Sequence, residues 1–155
     1  MKALVVYDSV YGNTEQIAQA IGKALNIELV RANDVKADQL TELKLLIIGS
    51  PTHGGRFTEA IQDFLNGISE LTVGINVAAF DTRTSSRNFI LRAFEKIFGH
   101  AAGRIADIVK RHGGILIAEP EGFIVKGTKG PLKEGELERA ESWAKDIAEN
   151  KQSIV

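Results

Sequence analysis

The feature that most constrains the fold is a regular alternation of short apolar runs with longer amphipathic runs. Ala3–Tyr7 and Leu45–Gly49 are apolar almost throughout, which is typical of strands covered on both faces. Between them, Ile17 and Ile21 belong to a set of apolar residues at helical spacing, which predicts a helix over Asn13–Leu25. Strands that alternate with helices of this length indicate right-handed crossovers and a parallel sheet.

The same patterns predict the remaining elements. Further strands are predicted at Ile27–Val30, Ile75–Phe80 and Ile115–Ala118, the last continued by Phe123–Val125 after the Pro120 turn. Apolar spacing predicts a helix from about Thr58, a long helical region from Ile90 to Arg111, and a last helix from Leu137 to Ala148. Gly99 and Gly103 are expected to break the long region into two pieces. Five strands with helices on both faces make a doubly wound α/β sandwich.

Composition restricts the class of protein. A chain of 155 residues with 44% hydrophobic and 25% charged residues is typical of one globular domain, here expected to span residues 1–155. The net charge of -1 shows no basic excess for nucleic acid. Cysteine is absent, which excludes disulfides, thiolate metal sites and thiol catalysis. The apolar start is too short for a signal peptide or a membrane span, so we expect a cytoplasmic protein that does not contact membranes.

Three loops are expected to meet at one edge of the sheet. In doubly wound sheets, ligands bind beyond the carboxyl ends of the strands, where the strand order reverses. The loops that follow the first, third and fourth strands are Asp8–Thr14 (DSVYGNT), Ser50–Phe57 (SPTHGGRF) and Asp81–Arg87 (DTRTSSR). All three are rich in hydroxyl groups and glycine or carry arginine, whereas the loops at the opposite edge are plainer.

The first loop has the chemistry of a phosphate site without a basic side chain. A helix N-terminus offers unpaired N–H groups and about half a positive charge, so it can hold an anion. Ser9, Tyr11 and Thr14 add hydroxyls, Asn13 adds an amide, and Gly12 allows close approach. The triphosphate pattern with its lysine and the dinucleotide pattern G-x-G-x-x-G are both absent. An ordinary capped strand-to-helix turn is the alternative reading.

Ser9–Thr14 (SVYGNT) resembles the phosphate-binding signature of flavodoxins, in which two hydroxyl residues precede Gly-Asn-Thr. GSPTHGG is similar to the second flavin loop of that family, and FDTRTSSR stands where the third belongs. The resemblance covers most of the chain and implies a three-layer doubly wound α/β sandwich with a five-stranded parallel sheet of order 2-1-3-4-5. It also implies FMN as cofactor. The residues implied to bind it are Ser9, Val10, Tyr11, Gly12, Asn13, Thr14, Pro51, Thr52, His53, Gly54, Gly55, Asp81, Thr82 and Arg83.

The chain departs from that family in its aromatic residues and its charge. Neither the second nor the third loop has a Tyr or Trp, and the helical spacing of Trp143 favours packing. His53 is either a cover for one face of the flavin or a solvated loop side chain. Arg56, Arg83 and Arg87 lie in or beside the flavin loops, where positive charge would make reduction of the flavin easier. They could instead attract an anionic partner such as NADPH, or be ordinary solvated residues.

The resemblance implies electron transfer, with FMN supplying the redox chemistry and no catalytic side chain required. The alternative is an NAD(P)H-dependent quinone reductase of the flavodoxin-like group, although those enzymes usually carry an insertion that this chain lacks. A receiver-like signalling module is disfavoured because the third strand does not end in Asp. Three scattered histidines do not predict a metal site. We expect a monomer that exchanges electrons with redox partner proteins and does not bind nucleic acid.

Overall fold

The computed structural model describes residues 2–85 and 99–154, with side chains up to residue 150. Its strands are β1 (Ala3–Tyr7), β2 (Glu28–Arg31), β3 (Leu45–Pro51), β4 (Asn76–Thr84), β5 (Ile115–Leu116) and β6 (Glu121–Val125). Its helices are α1 (Asn13–Leu25), α2 (Ala37–Leu40), α3 (Glu59–Ile68), α4 (Ala101–Arg111) and α5 (Glu136–Ile154), with a 3₁₀ turn at Ala32–Asp34.

The strands form one parallel sheet. Its order is β2-β1-β3-β4-β5, and β6 also pairs with β4. β5 lies beside the start of β4, with Asn76 opposite Ile115, and β6 lies beside its end, with Asp81 opposite Gly122. The fifth position of the sheet is therefore shared by two short strands, and the predicted order 2-1-3-4-5 is confirmed.

The sheet separates two cores because successive side chains of a strand point to opposite faces. On one face, Leu4 and Val6 of β1 pack in a cluster with residues of α3 and α4. On the other face, Val5 and Tyr7 pack in a cluster with residues of α1 and α5. Most of these side chains are fully buried, so the sandwich has three layers, as predicted.

An aromatic triad stabilises the second core. Phe80, Phe123 and Trp143 pack edge to face, with ring centroids 6.0 to 6.1 Å apart. Such pairs add about 0.5–1.5 kcal/mol each beyond the burial of their area. Trp143 is thus a packing residue, as its helical spacing predicted.

Several element boundaries differ from the predictions. β3 runs on to Pro51 and β4 to Thr84, so the residues Asp81–Thr84 belong to a strand and not to a loop. The expected break at Gly103 is wrong, because Gly103 lies inside α4. The helical prediction for residues 90–98 lies outside the described residues, as does Arg87. The short helix α2 and the 3₁₀ turn were not predicted.

Candidate functional site

A cavity of about 330 Å³ opens at the carboxyl edge of the sheet. It lies between the ends of β1, β3 and β4, and the segment that links β6 to α5 covers one side. This size is at the lower end of the range for small-molecule sites. Its lining residues are Val10, Tyr11, Asn13, Thr14, Pro51, Thr52, His53, Gly54, Thr82, Arg83, Thr84, Val125 and Thr128.

The start of α1 provides the anion-binding groups of this cavity. Gly12 caps the helix with a φ of 93°, a conformation that suits glycine. The Oγ of Ser9 accepts hydrogen bonds from the N–H groups of Gly12 (3.1 Å) and Glu15 (3.3 Å). Within the described parts of the chain, the N–H groups of Asn13 and Thr14 have no protein acceptor. The helix dipole therefore presents two available donors at the cavity wall.

The side chain of Thr14 ties this helix to the far end of β4. Its Oγ1 lies 2.8 Å from the Oγ1 of Thr82, and both residues are buried. The second loop, which follows β3, is joined to β4 as well, because the N–H of Thr52 donates to the carbonyl of Thr82 at 2.8 Å. Thr82 thus connects the first and second loops.

The second loop turns back on itself beside the cavity. The backbones of His53 and Arg56 exchange two hydrogen bonds of 3.0 Å. Gly54 and Gly55 between them have φ values of 57° and 76°, as a tight primed turn requires. The turn leaves the side chains of His53 and Arg56 exposed and places Gly54 at the cavity.

In the third predicted loop, Thr82 and Arg83 line the cavity, whereas Asp81 does not. Asp81 is fully buried, and its carboxylate accepts two hydrogen bonds from Arg83 at 2.7 and 2.8 Å. It also accepts one from the N–H of Ala102 at 2.9 Å, at the start of α4. Arg83 is therefore not an ordinary solvated residue, because a buried carboxylate compensates part of its charge.

The segment Lys126–Pro131 is a part of the site that sequence reasoning missed. None of its residues is among those implied by the family resemblance, yet Thr128 and the preceding Val125 line the cavity. Gly130, with a φ of 106°, lies against the side chain of Asn13, because a Cβ at Gly130 would come within 2.6 Å of Asn13 Oδ1. In the sequence, the feature that could have indicated a site residue here is the hydroxyl side chain of Thr128 between two glycines.

Ten of the fourteen residues implied by the resemblance line the cavity. They are Val10, Tyr11, Asn13, Thr14, Pro51, Thr52, His53, Gly54, Thr82 and Arg83. Ser9 and Gly12 shape the turn that carries them, while Gly55 belongs to the tight turn and Asp81 lies behind Arg83. Thr84, Val125 and Thr128 also line it but are not among the fourteen implied residues, although Thr84 belongs to the predicted third loop.

The chemistry of the lining favours a ligand that is part anionic and part apolar. No carboxylate contributes to the lining among residues 2–85 and 99–154, whereas five threonines and the guanidinium of Arg83 do. Val10 and Tyr11 add apolar surface and are about half exposed, at 54% and 47%. A phosphate group would meet no negative side chain among these lining residues, and a flat ring system could pack against the apolar surface of Val10 and Tyr11.

An ion-pair cluster supports the first loop from behind. Arg31 donates to Glu15 Oε2 at 2.8 Å and to the carbonyl of Ser9 at 3.2 Å, and its guanidinium lies 5.3 Å from the centroid of the Tyr7 ring. The hydroxyl of Tyr7 donates to the same Glu15 oxygen. Burial raises the pKa of Tyr7, and the hydrogen bond and charge of Glu15 raise it further. This tyrosine therefore stays protonated and acts as a fixed donor.

A second groove, of about 370 Å³, lies between α3 and α4. Its lining mixes the carboxylates of Glu59 and Asp107 with the guanidinium groups of Arg56, Arg104 and Arg111. The groove therefore presents three guanidinium groups and two carboxylates, whereas the lining of the first cavity holds one guanidinium and no carboxylate among the described residues.

The part of the chain that the structure describes contains neither a candidate metal site nor a membrane-spanning helix. No group of three His, Cys, Asp or Glu side chains there is arranged to hold a metal ion. None of its helices combines the length and the apolar character needed to cross a bilayer.

A doubly wound parallel sheet with a hydroxyl-rich cavity at its carboxyl edge defines a class of α/β nucleotide-binding proteins. The family model described as flavodoxin domain matches residues 4–115, which is most of the chain. The chain belongs to the flavodoxin domain family. Proteins of this family bind FMN and transfer electrons, which makes FMN the cofactor and electron transfer the activity class of this chain.

The chain is also similar to individual proteins over most of its length. The chain is 25% identical to a flavodoxin of Haemophilus influenzae over 91% of this chain and 90% of that one. It is 29% identical to the protein MJ0298 of Methanocaldococcus jannaschii, over 97% of this chain and all of that one. Among solved structures, a flavodoxin from the domain Archaea superposes with a TM-score of 0.75 at 25% identity, covering 96% and 97% of the two chains.

Proposed function

We propose that the cavity at the carboxyl edge of the sheet is the FMN site. The observation that carries the proposal is the pair of N–H groups of Asn13 and Thr14, which have no protein acceptor within the described residues and lie at a helix N-terminus in a flavodoxin-family chain. Ser9, Tyr11 and Gly12 complete the proposed phosphate loop. A dianionic phosphate would receive hydrogen bonds there and interact favourably with the helix dipole.

The remaining lining residues are proposed to hold the flavin ring. Pro51, Thr52, His53 and Gly54 follow β3, and Thr82 and Arg83 belong to β4. Together they supply backbone groups, hydroxyls and one guanidinium. Gly55 and Asp81 are proposed to act indirectly, Gly55 by shaping the tight turn and Asp81 by holding Arg83.

FMN, when bound, supplies the one-electron and two-electron redox chemistry. The chain itself binds and orients the cofactor and limits the access of water to it. The lining described above offers no carboxylate as a general acid or base, and His53 is exposed. This composition supports a carrier that passes electrons between redox partner proteins. We further propose that it acts as a monomer in the cytoplasm.

The first experiment compares binding of FMN with binding of riboflavin. The purified protein is freed of flavin and titrated with each, and the flavin fluorescence is recorded. We expect strong quenching by FMN and binding of riboflavin at least tenfold weaker, because riboflavin lacks the phosphate. Equal affinities would contradict the proposed phosphate loop, and failure to bind either flavin would contradict the FMN site.

A second experiment separates the carrier from a quinone reductase. The FMN-loaded protein is mixed with NADH or NADPH, with and without a quinone, and the absorbance of the nicotinamide is followed. A carrier is expected to show no steady turnover without a partner reductase. Sustained oxidation by the pure protein would overturn the carrier function and favour the reductase.

A further inference from the structure

Arg83 occupies a fixed position on the wall of the cavity. Its Nε and Nη2 donate to the two carboxylate oxygens of Asp81 at 2.8 and 2.7 Å, in a bidentate pair. Asp81 is fully buried, and the side chain of Arg83 is 24% exposed. Such a pair fixes both the distance and the orientation of the guanidinium plane.

Asp81 is anchored independently of Arg83. Its Oδ2 also accepts the N–H of Ala102 at the start of α4, while the neighbouring N–H of Ala101 donates to Thr52 Oγ1 at 3.1 Å. A carboxylate at a helix N-terminus is further stabilised by the helix dipole. The negative charge therefore has one position, determined by β4 and α4 together.

Gly122 provides the surface against which Arg83 lies. It pairs with Asp81 in the register of β4 and β6, and a Cβ built on it would come within 2.2 Å of Arg83 Cζ and Nε. Only a residue without a side chain allows the guanidinium to occupy this place. Asp81, Arg83 and Gly122 form what we call the arginine clamp.

We propose that the arginine clamp sets the reduction potential of the bound flavin. Arg83 stabilises the negative charge that reduction adds, and Asp81 limits this effect by compensating part of the guanidinium charge. Arg83 is thus a tuning residue, and Asp81 and Gly122 are positioning residues. The inference rests on the proposed FMN site, to which Arg83 contributes as a lining residue.

The test measures the midpoint potential of FMN in the wild type and in Asp81→Asn, Arg83→Gln and the double variant. Asp81→Asn keeps an oxygen for Ala102 but removes the negative charge, so the potential should rise. Arg83→Gln should lower it, and the double variant should fall between the two. We expect each single change to alter the ratio of the affinities for reduced and oxidised FMN about tenfold, which is about 30 mV for two electrons.

Gly122→Ala provides a probe that changes no charge. Its methyl group displaces the flexible end of Arg83, so the potential should move in the direction of Arg83→Gln. Gly67→Ala is the matched control, because its Cβ has no atom within 4 Å and it lies on α3. Each variant is first checked for folding by its circular dichroism and for FMN binding by fluorescence.

The outcomes separate the two proposals. Potentials that stay unchanged in Arg83→Gln and Gly122→Ala, with FMN still bound, would overturn the tuning role and leave the clamp as a structural link. Shifts of the same sign in Asp81→Asn and Arg83→Gln would also contradict it. If the wild type binds no FMN, the proposed function fails instead. If Asp81→Asn does not fold, Arg83→Gln and Gly122→Ala still decide whether Arg83 tunes the potential.

Discussion

Thr14 Oγ1 and Thr82 Oγ1 lie 2.8 Å apart although their residues are separated by 68 positions in the chain. Thr14 is in the first turn of α1, and Thr82 is near the end of β4. They are 1% and 4% exposed, so water does not substitute for their hydrogen bond. This contact connects the proposed phosphate loop to the wall proposed to hold the ring.

Replacing either threonine by valine should destabilise the protein. Thr14→Val and Thr82→Val each leave one buried hydroxyl without its partner, which costs about 1–3 kcal/mol. The double variant should lose less than the sum, since no orphaned hydroxyl remains. Urea unfolding of the four flavin-free proteins measures this. Strictly additive losses would show that the two hydroxyls do not interact.

Gly12→Ala should weaken both the fold and FMN binding. The left-handed φ of 93° costs an alanine about 1–2 kcal/mol, although no atom lies within 4 Å of the added Cβ. Gly67→Ala, in the last turn of α3, is the control and should not destabilise the protein, because its φ is not left-handed and its Cβ meets no atom within 4 Å. Thermal unfolding and FMN titration measure both effects. Equal effects of the two variants would contradict the conformational argument.

Gly49→Ala should be among the most damaging single-methyl changes in the sheet. Gly49 on β3 pairs with Phe80 on β4, and the added Cβ would meet the ring of Phe80 at 2.0 Å. Phe80 is fully buried within the aromatic triad, so its ring cannot move away freely. Overpacking of this kind costs about 1–3 kcal/mol or more.

A second substitution tests this steric explanation. Phe80→Leu removes part of the ring, so Gly49→Ala should cost less in that background than in the wild type. Chemical denaturation of the two single variants and the double variant provides the comparison. An unchanged cost would indicate that the added methyl group acts on something other than Phe80.

Glu136 should make stability depend on pH in the acid range. Its carboxylate accepts two hydrogen bonds from Arg139, at 2.7 and 2.9 Å, which hold its pKa below the ordinary value of 4.5. Burial acts in the opposite direction and raises the pKa, whereas the hydrogen bond from the N–H of Ile124 lowers it further. A carboxyl group with a lowered folded-state pKa stabilises the protein fully above 4.5. That stabilisation is lost as the pH falls through the folded-state pKa.

The measurement is the free energy of unfolding between pH 7 and pH 3. Glu136→Gln should reduce stability at pH 7 and flatten the decline toward acid. Glu134→Gln is the matched control: the pKa of Glu134 is also lowered, by Lys126, but this ion pair is exposed to water and should matter far less. Equal acid profiles for the wild type and Glu136→Gln would refute the assignment.

The sequence by itself determined the layers and the order of the loops. Apolar runs such as Leu45–Gly49 are readable as buried strands because burial on both faces leaves no polar positions. The hydroxyl-rich turn Ser9–Thr14 is readable because its chemistry is local: a glycine, capping side chains and a helix start lie within six residues. Parallel strands then bring such loops to one edge, which is why ten predicted residues line one cavity.

Only the tertiary structure decided what Asp81, Arg83 and Thr128 do. Whether Asp81 faces the ligand or pairs with Arg83 depends on where β4 ends and on how α4 docks against it. Thr128 reaches the cavity because β6 pairs with the end of β4, far away in sequence. These are long-range contacts, and a local pattern of residues carries no information on them because it does not specify which distant backbone will lie alongside.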